Sequence, residues 1–154
     1  MNQFNSKTMI KICTSLEQSK KLIELGIDIN TADIWWAERY EGRVTEDGQY
    51  IIAKEPYYYL SLTKPSDINY SQDTIKDIPA WSLSALLKLM PFHIIENNQR
   101  YGFYQWKGLN SQGETYCFEY KSTIGTRLYE TIHWNNPIVP AFEMVCWLKE
   151  NKKI

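Results

Sequence analysis

The sequence predicts an α+β fold: a mainly antiparallel sheet, built from an N-terminal hairpin and a C-terminal three-stranded meander, with about three helices packed on one face. Three observations carry this expectation. Three well-separated segments combine helix caps with an apolar period near 3.6 residues. The stretches between them, among them IWWAERY, PYYYLSL and YGFYQWKG, shift toward a period of two and are crowded with rings. The last strands are joined by turn sequences short enough only for hairpins, which makes neighbours antiparallel.

The first helix is read from Thr14 to Gly26. Thr14 and Glu17 have the spacing of a capping box, in which a hydroxyl and a carboxylate satisfy free backbone N–H groups reciprocally. Leu16, Leu22 and Ile23 give its apolar face. Gly26 suits the left-handed position after the last turn, with Ile27 placed for the accompanying hydrophobic contact. Next, Ile34–Arg43 is a strand, VTEDG supplies turn chemistry, and Gln49–Ala53 returns. Pro56 breaks the continuation toward Leu62, because proline removes a ladder donor. Lys64–Pro79 is a long polar connection expected on the surface.

The second helix runs from Ser82 to Met90, with Ser82 as N-cap and Pro91 as its stop. Trp81 and Leu86 stand at the spacing of a hydrophobic staple. Three strands follow, Arg100–Lys107, Glu114–Lys121 and Arg127–Trp134, joined by GLNSQG and STIGT. The third helix starts at Pro137 or Pro140 and ends near Lys152, with Phe142, Val145, Cys146 and Lys149 as its stripe and Ala141 and Leu148 beside it.

At 154 residues the chain fits a single domain, 1–154, able to bury a sizeable core. A net charge of −1 speaks against nucleic acid or anionic lipid as a partner, since both select a basic excess. No stretch has the length of a membrane helix, so no membrane partner is expected. Cys13, Cys117 and Cys146 are widely spaced and odd in number, which suits free thiols in a reducing cytoplasm and a monomer or small homo-oligomer there.

The chain carries 11 Tyr and 6 Trp but only 2 His, so rings are abundant where catalytic groups are scarce. Cys117 and His133 are the one pair suggestive of nucleophilic chemistry. If the last hairpin folds symmetrically, Cys117 faces Thr131, and His133 lies one diagonal step away on the same face. The plainer reading, a buried thiol acting as a small hydrophobe, outweighs it. His93 and His133 lack the spacing of metal ligands, and no cofactor motif is present, so neither metal nor cofactor is expected. In the symmetric register Glu119 and Glu130 point to opposite faces, which separates them as an acid–base pair. Asp28 and Asp33 read as turn and cap residues.

The rings are the remaining candidates. Alternation places Tyr116, Phe118 and Tyr120 on one face of their strand, with Tyr104 and Trp106 on the neighbouring one. Cross-strand aromatic packing explains such a strip. A platform for a partner explains it as well, if the helices leave that face open.

Three blocks, CTSLEQSKKLIELGIDINTADIWW, IPAWSLSALLKLMP and NPIVPAFEMVCWLKENK, resemble in that order a family of small uncharacterised Bacteroides-type bacterial proteins, often met in phage-like or mobile genetic regions. The resemblance spans most of the chain and is weakest over the polar connection. It implies one domain, three helices and a mobile-element context, and it supplies no catalytic residue, cofactor or substrate. The leading expectation is therefore a non-enzymatic accessory protein of a prophage or mobile element that binds an as yet unidentified protein. The alternatives are a small Cys/His-dependent hydrolase or transferase, and a small-molecule binding module.

Overall fold

The computed structural model of the chain describes residues 12–62, 77–111, 113–132 and 134–154. Within them lie three α-helices and nine strands: α1 (Leu16–Glu24), β1 (Ile34–Arg39), β2 (Gly42–Val44), β3 (Tyr50–Ile52), β4 (Tyr57–Ser61), β5 (Ile78–Ala80), α2 (Leu83–Leu89), β6 (His93–Glu96), β7 (Gln99–Asn110), β8 (Gly113–Ser122), β9 (Arg127–Glu130) and α3 (Ile138–Glu150). The fold is α+β, and every strand pairing is antiparallel. A three-stranded sheet has the order β4-β1-β5, a four-stranded sheet the order β6-β7-β8-β9, and β2-β3 form a separate ribbon.

The first helix is capped one residue later than its sequence suggests. Ser15, not Thr14, is the N-cap, and its box partner is Gln18, not Glu17. The Gln18 N–H donates to Ser15 Oγ at 3.2 Å, while Gln18 Oε1 accepts from the Ser15 N–H at 2.9 Å. Thr14 is free for another task because it is fully buried. Its hydroxyl accepts from the Trp81 N–H at 3.0 Å, and its carbonyl accepts from Trp36 Nε1 at 3.1 Å. Thr14 thereby ties the start of α1 to the start of α2 and to β1. The end of α1 follows expectation: Gly26 has φ +74°, its N–H reaches the Ile23 carbonyl, and the Ile27 N–H reaches the Leu22 carbonyl. Ser15→Ala is expected to lower stability by about 1 kcal/mol. A urea titration should record this as an earlier midpoint at unchanged slope, and an unmoved midpoint would refute the assigned cap.

The predicted strand Ile34–Arg43 is two elements. β1 pairs with β4 from Trp35↔Ser61 to Arg39↔Tyr57, whereas Gly42–Val44 pairs with Tyr50–Ile52 as the ribbon. The hairpin therefore runs past the Pro56 break and closes on the main sheet only after it. Part of the predicted polar connection is also ordered: Ile78–Ala80 forms β5 beside β1. Pro79 is tolerated because β5 is an edge strand among the described residues. Asp77 before it pairs with Arg39 at 3.3 Å, and the stretch 64–76 lies outside the described residues.

Helix α2 matches its sequence signals. Ser82 Oγ accepts from the Ala85 N–H, and Trp81 and Leu86 are fully buried in the same core cluster. Asp33 holds the cap in turn, accepting from the Ser82 N–H at 2.9 Å and from its hydroxyl at 2.5 Å. Asp28 caps a 3-10 turn at Ile29–Thr31, so both aspartates are structural as expected. Helix α3 begins with Pro137 at the cap position, so Pro140 falls in the first turn, where a missing N–H breaks no helix bond. Its buried stripe is Ile138, Ala141, Met144, Val145 and Leu148, rotated from the predicted Phe142–Val145–Cys146–Lys149 line. The rotation arises because Ile138 and Met144 face the core, while Phe142 and Cys146 pack at its margin.

The meander gains a fourth strand, β6, which the sequence reading missed. It joins β7 through Asn97 and Asn98 at φ +49° and +62°, the two left-handed residues of a tight hairpin turn. The strand predicted as Arg127–Trp134 stops at Glu130, and Trp134 keeps only an isolated bridge to Tyr116. Between β8 and β9 the register is Glu119↔Glu130 and Tyr120↔Tyr129, then shifts at a bulge to Lys121↔Arg127. The symmetric register is thus off by one, which is enough to turn Glu130 onto the face of Glu119.

Candidate functional site

The helices cover one face of the four-stranded sheet, and this divides the predicted aromatic set. Phe118 and Tyr120 are core residues, 2% and 0% exposed. Phe103 stacks on Phe118 at 5.9 Å, and Tyr120 packs between Phe103 and Trp147 of α3. The Tyr120 hydroxyl donates to the Pro91 carbonyl at 2.6 Å. Neither ring is available to a partner. Tyr116 points to the same side but lies where the helical cover ends, and is half-buried. Tyr104 and Trp106 occupy the opposite, open face, at 48% and 41% exposure.

Beside the end of the cover, Leu83, Trp106, Lys107, Tyr116, Phe118 and Pro137 contribute to a cleft of about 220 Å³. That is below the roughly 300–1,000 Å³ of small-molecule pockets. It suits a single inserted side chain.

Cys117 lies on the same side as Glu119, Glu130 and Arg127, where β8 is itself buried: Cys117 and Glu119 are 1% and 6% exposed. Arg127 Nε stands 2.9 Å from Glu119 Oε2, off the line of a hydrogen bond, and its Nη1 donates to Glu130 Oε2 at 2.6 Å. One guanidinium therefore bridges two carboxylates that the register sets side by side. The Cys117 thiol lies 3.5 Å from the Thr131 carbonyl and 3.7 Å from Glu130 Oε1. Burial and these acidic neighbours push it up to about 11. A nucleophilic thiol needs the opposite shift. His133, its proposed partner, lies outside the described residues.

Burial also raises Cys13 to about 11 and Cys146 to about 12, and all three cysteines are free. Because each folded value exceeds the ordinary thiol value of 9.0, the native state binds more protons than the unfolded one above that pH. Their contribution to stability should be full below pH 9.0 and fall as pH rises through about 11–12. Chemical denaturation at stepped alkaline pH checks this, with a Cys117→Ala, Cys146→Ala variant expected to show a shallower decline. An identical decline in that variant would refute it.

Sequence reasoning missed the surface made by the ribbon and the edge strand. Val44, Tyr50 and Ile52 are 67%, 68% and 58% exposed, and Ile51 on the reverse side is exposed too. Tyr57 and Tyr59 of β4, and Leu62 just after it, continue the exposed series, and among the described residues β4 pairs with β1 alone. Tyr40, Gly42, Ile51, Ile52, Lys54 and Tyr57 line an open groove of about 660 Å³ here. The readable signal was YIIAKEPYYYLSL, which has too few polar residues at alternate positions to solvate one face of a hairpin.

Among the described residues no group of three or more His, Cys, Asp or Glu could hold a metal ion, and no helix is long and apolar enough to cross a membrane. Fold and surfaces together define a small antiparallel α+β protein with open sheet surfaces. No family model, curated protein or solved structure matches the chain.

Proposed function

We propose that this chain is a binding protein without chemistry of its own, docking a protein partner on the β2-β3 ribbon and the adjoining edge strand β4. The observation that carries the reading is the exposed run from Val44 to Leu62. At roughly 150–250 Å² for a large side chain, its exposed fractions amount to on the order of 800 Å². This total spans both faces of the ribbon, so a partner on one face covers part of the area that each side contributes to an interface of standard size. β4 holds no charged residue and among the described residues pairs with β1 alone, so Tyr57–Leu60 can accept an extended apolar segment of the partner. The net charge of −1 favours protein over nucleic acid as that partner.

The raised Cys117 thiol argues against the nucleophilic alternative, and the free thiols support a reducing cytoplasm. The resemblance to proteins of phage-like and mobile regions supports an accessory role in such an element, which the neighbouring genes would test. Photo-crosslinking in the natural host tests the surface itself. A benzophenone at position 51 should join the chain to one discrete protein, and Tyr50→Ser with Ile52→Ser should abolish the adduct. The same group at exposed position 88 on α2 serves as control. Equal labelling from both positions would refute the reading, and an adduct of two copies would reassign the surface to self-association.

A further inference from the structure

A second open site lies on the other sheet, where nothing above assigns a role. The registers His93↔Gly102, Gly102↔Lys121 and Tyr104↔Glu119 set these residues on the uncovered face of β6, β7 and β8. Gln99, Arg100, Gly102, Tyr104, Lys121 and Ser122 contribute to a cleft of about 570 Å³, within the size range of small-ligand sites. Its floor is made by the absence of a side chain. A Cβ at Gly102 would stand 3.3 Å from the Tyr104 ring, so the ring leans over the glycine and leaves its other side to the cleft.

Charge decides what the cleft takes. The acidic groups on this face, Glu119 and Glu130, are both engaged by Arg127. One guanidinium offsets only one of these two charges, but neither Arg100 nor Lys121 has an ion pair among the described residues, and with Arg127 the three cations outnumber the two carboxylates. Among the described residues Arg100 has a side-chain contact of 3.5 Å to His93 Nδ1, and the imidazole carries no negative charge. Two cations thus line one cleft together with a phenol ring, in a protein whose net charge is −1. A guanidinium offers paired donors to a tetrahedral or planar oxyanion, and an ammonium adds a point charge. The ring face adds stacking for a second ring.

We infer that this cleft binds a small aryl phosphate, its dianion held by Arg100 and Lys121 and its ring laid on Tyr104. The inference is independent of the docking surface, which involves none of these residues. Calorimetric titration of the full chain with phenyl phosphate, inorganic phosphate and phenol tests it. Phenyl phosphate should saturate the protein and bind several-fold more tightly than inorganic phosphate, and phenol should not saturate. Arg100→Ala and Lys121→Ala, both on exposed or half-exposed positions, should each weaken phenyl phosphate by about tenfold, the loss of one charge-assisted contact. Tyr104→Ala should reduce phenyl phosphate to the affinity of inorganic phosphate while leaving the latter unchanged. Thermal melting of each variant verifies that it is folded. The proposal is overturned if phenyl phosphate fails to saturate at millimolar concentration, if it binds no better than inorganic phosphate, or if the cation variants bind it as the parent does.

Discussion

Trp81→Ala should destabilise the fold by about 3–5 kcal/mol, the range for emptying a large aromatic site in a packed core. Whole domains hold only about 5–15 kcal/mol, so a substantial unfolded fraction is expected under mild denaturant. The size of the effect follows from position. Trp81 is fully buried and is bonded to residues far from it in the sequence. Its N–H donates to Thr14 Oγ1, its carbonyl accepts from the Thr14 N–H at 2.9 Å, and its indole N–H donates to Thr31 Oγ1 at 2.9 Å. Its ring joins Leu22 of α1, Leu86 of α2 and Leu148 of α3 in one cluster. Truncation leaves a cavity within this core cluster and breaks the bond to Thr31. Trp81→Phe separates the contributions: it keeps most of the volume and loses the bond to Thr31, for an expected cost of about 1–2 kcal/mol. Urea unfolding at constant slope would measure both. A Trp81→Ala midpoint close to that of the parent would show that the helices do not depend on this contact.

The parts legible from sequence are those in which local chemistry and tertiary demand agree. Trp81, Ser82 and Leu86 specify the start of α2 by cap and staple, and the fold uses all three. Gly26 and Ile27 specify the end of α1 in the same way. The cap of α1 was ambiguous because Thr14-Ser15 and Glu17-Gln18 offer two boxes one residue apart. The choice was made at long range, by the demand of Trp81 and Trp36 for Thr14. The register of β8 with β9 was illegible for a related reason. A bulge at Tyr120/Lys121 leaves no mark in STIGT, yet it decides that Glu119 and Glu130 meet under Arg127. β6 could have been found, since Asn97-Asn98 between His93–Glu96 and Gln99 is a plausible tight turn. β5 could not, being three residues with a proline at its centre. Which aromatic face the helices cover was also beyond alternation, which sorts residues into two sets without ranking them.

That sorting leads to the second large effect, a split within the ring-rich strands. Tyr120→Ala should cost about 3–5 kcal/mol, while Tyr104→Ala and Trp106→Ala, one strand away, should each stay within about 1 kcal/mol. Tyr120 loses packing against Phe103 and Trp147 and its bond to the Pro91 carbonyl, the contact that ties β8 to the end of α2. Tyr104 and Trp106 lose half-solvated contacts on a face that none of the described helices covers. Tyr120→Phe keeps the ring and should cost about 1 kcal/mol. It should also change the alkaline limb of stability. Burial raises the Tyr120 phenol above its ordinary 10.0, so its contribution is present below that pH and lost as pH climbs beyond it. The phenylalanine variant lacks that loss. Four melting curves and one alkaline series are sufficient to decide. Equal destabilisation at Tyr104 and Tyr120 would mean that both faces of the sheet are covered, and the open cleft over Tyr104 would then have no physical basis.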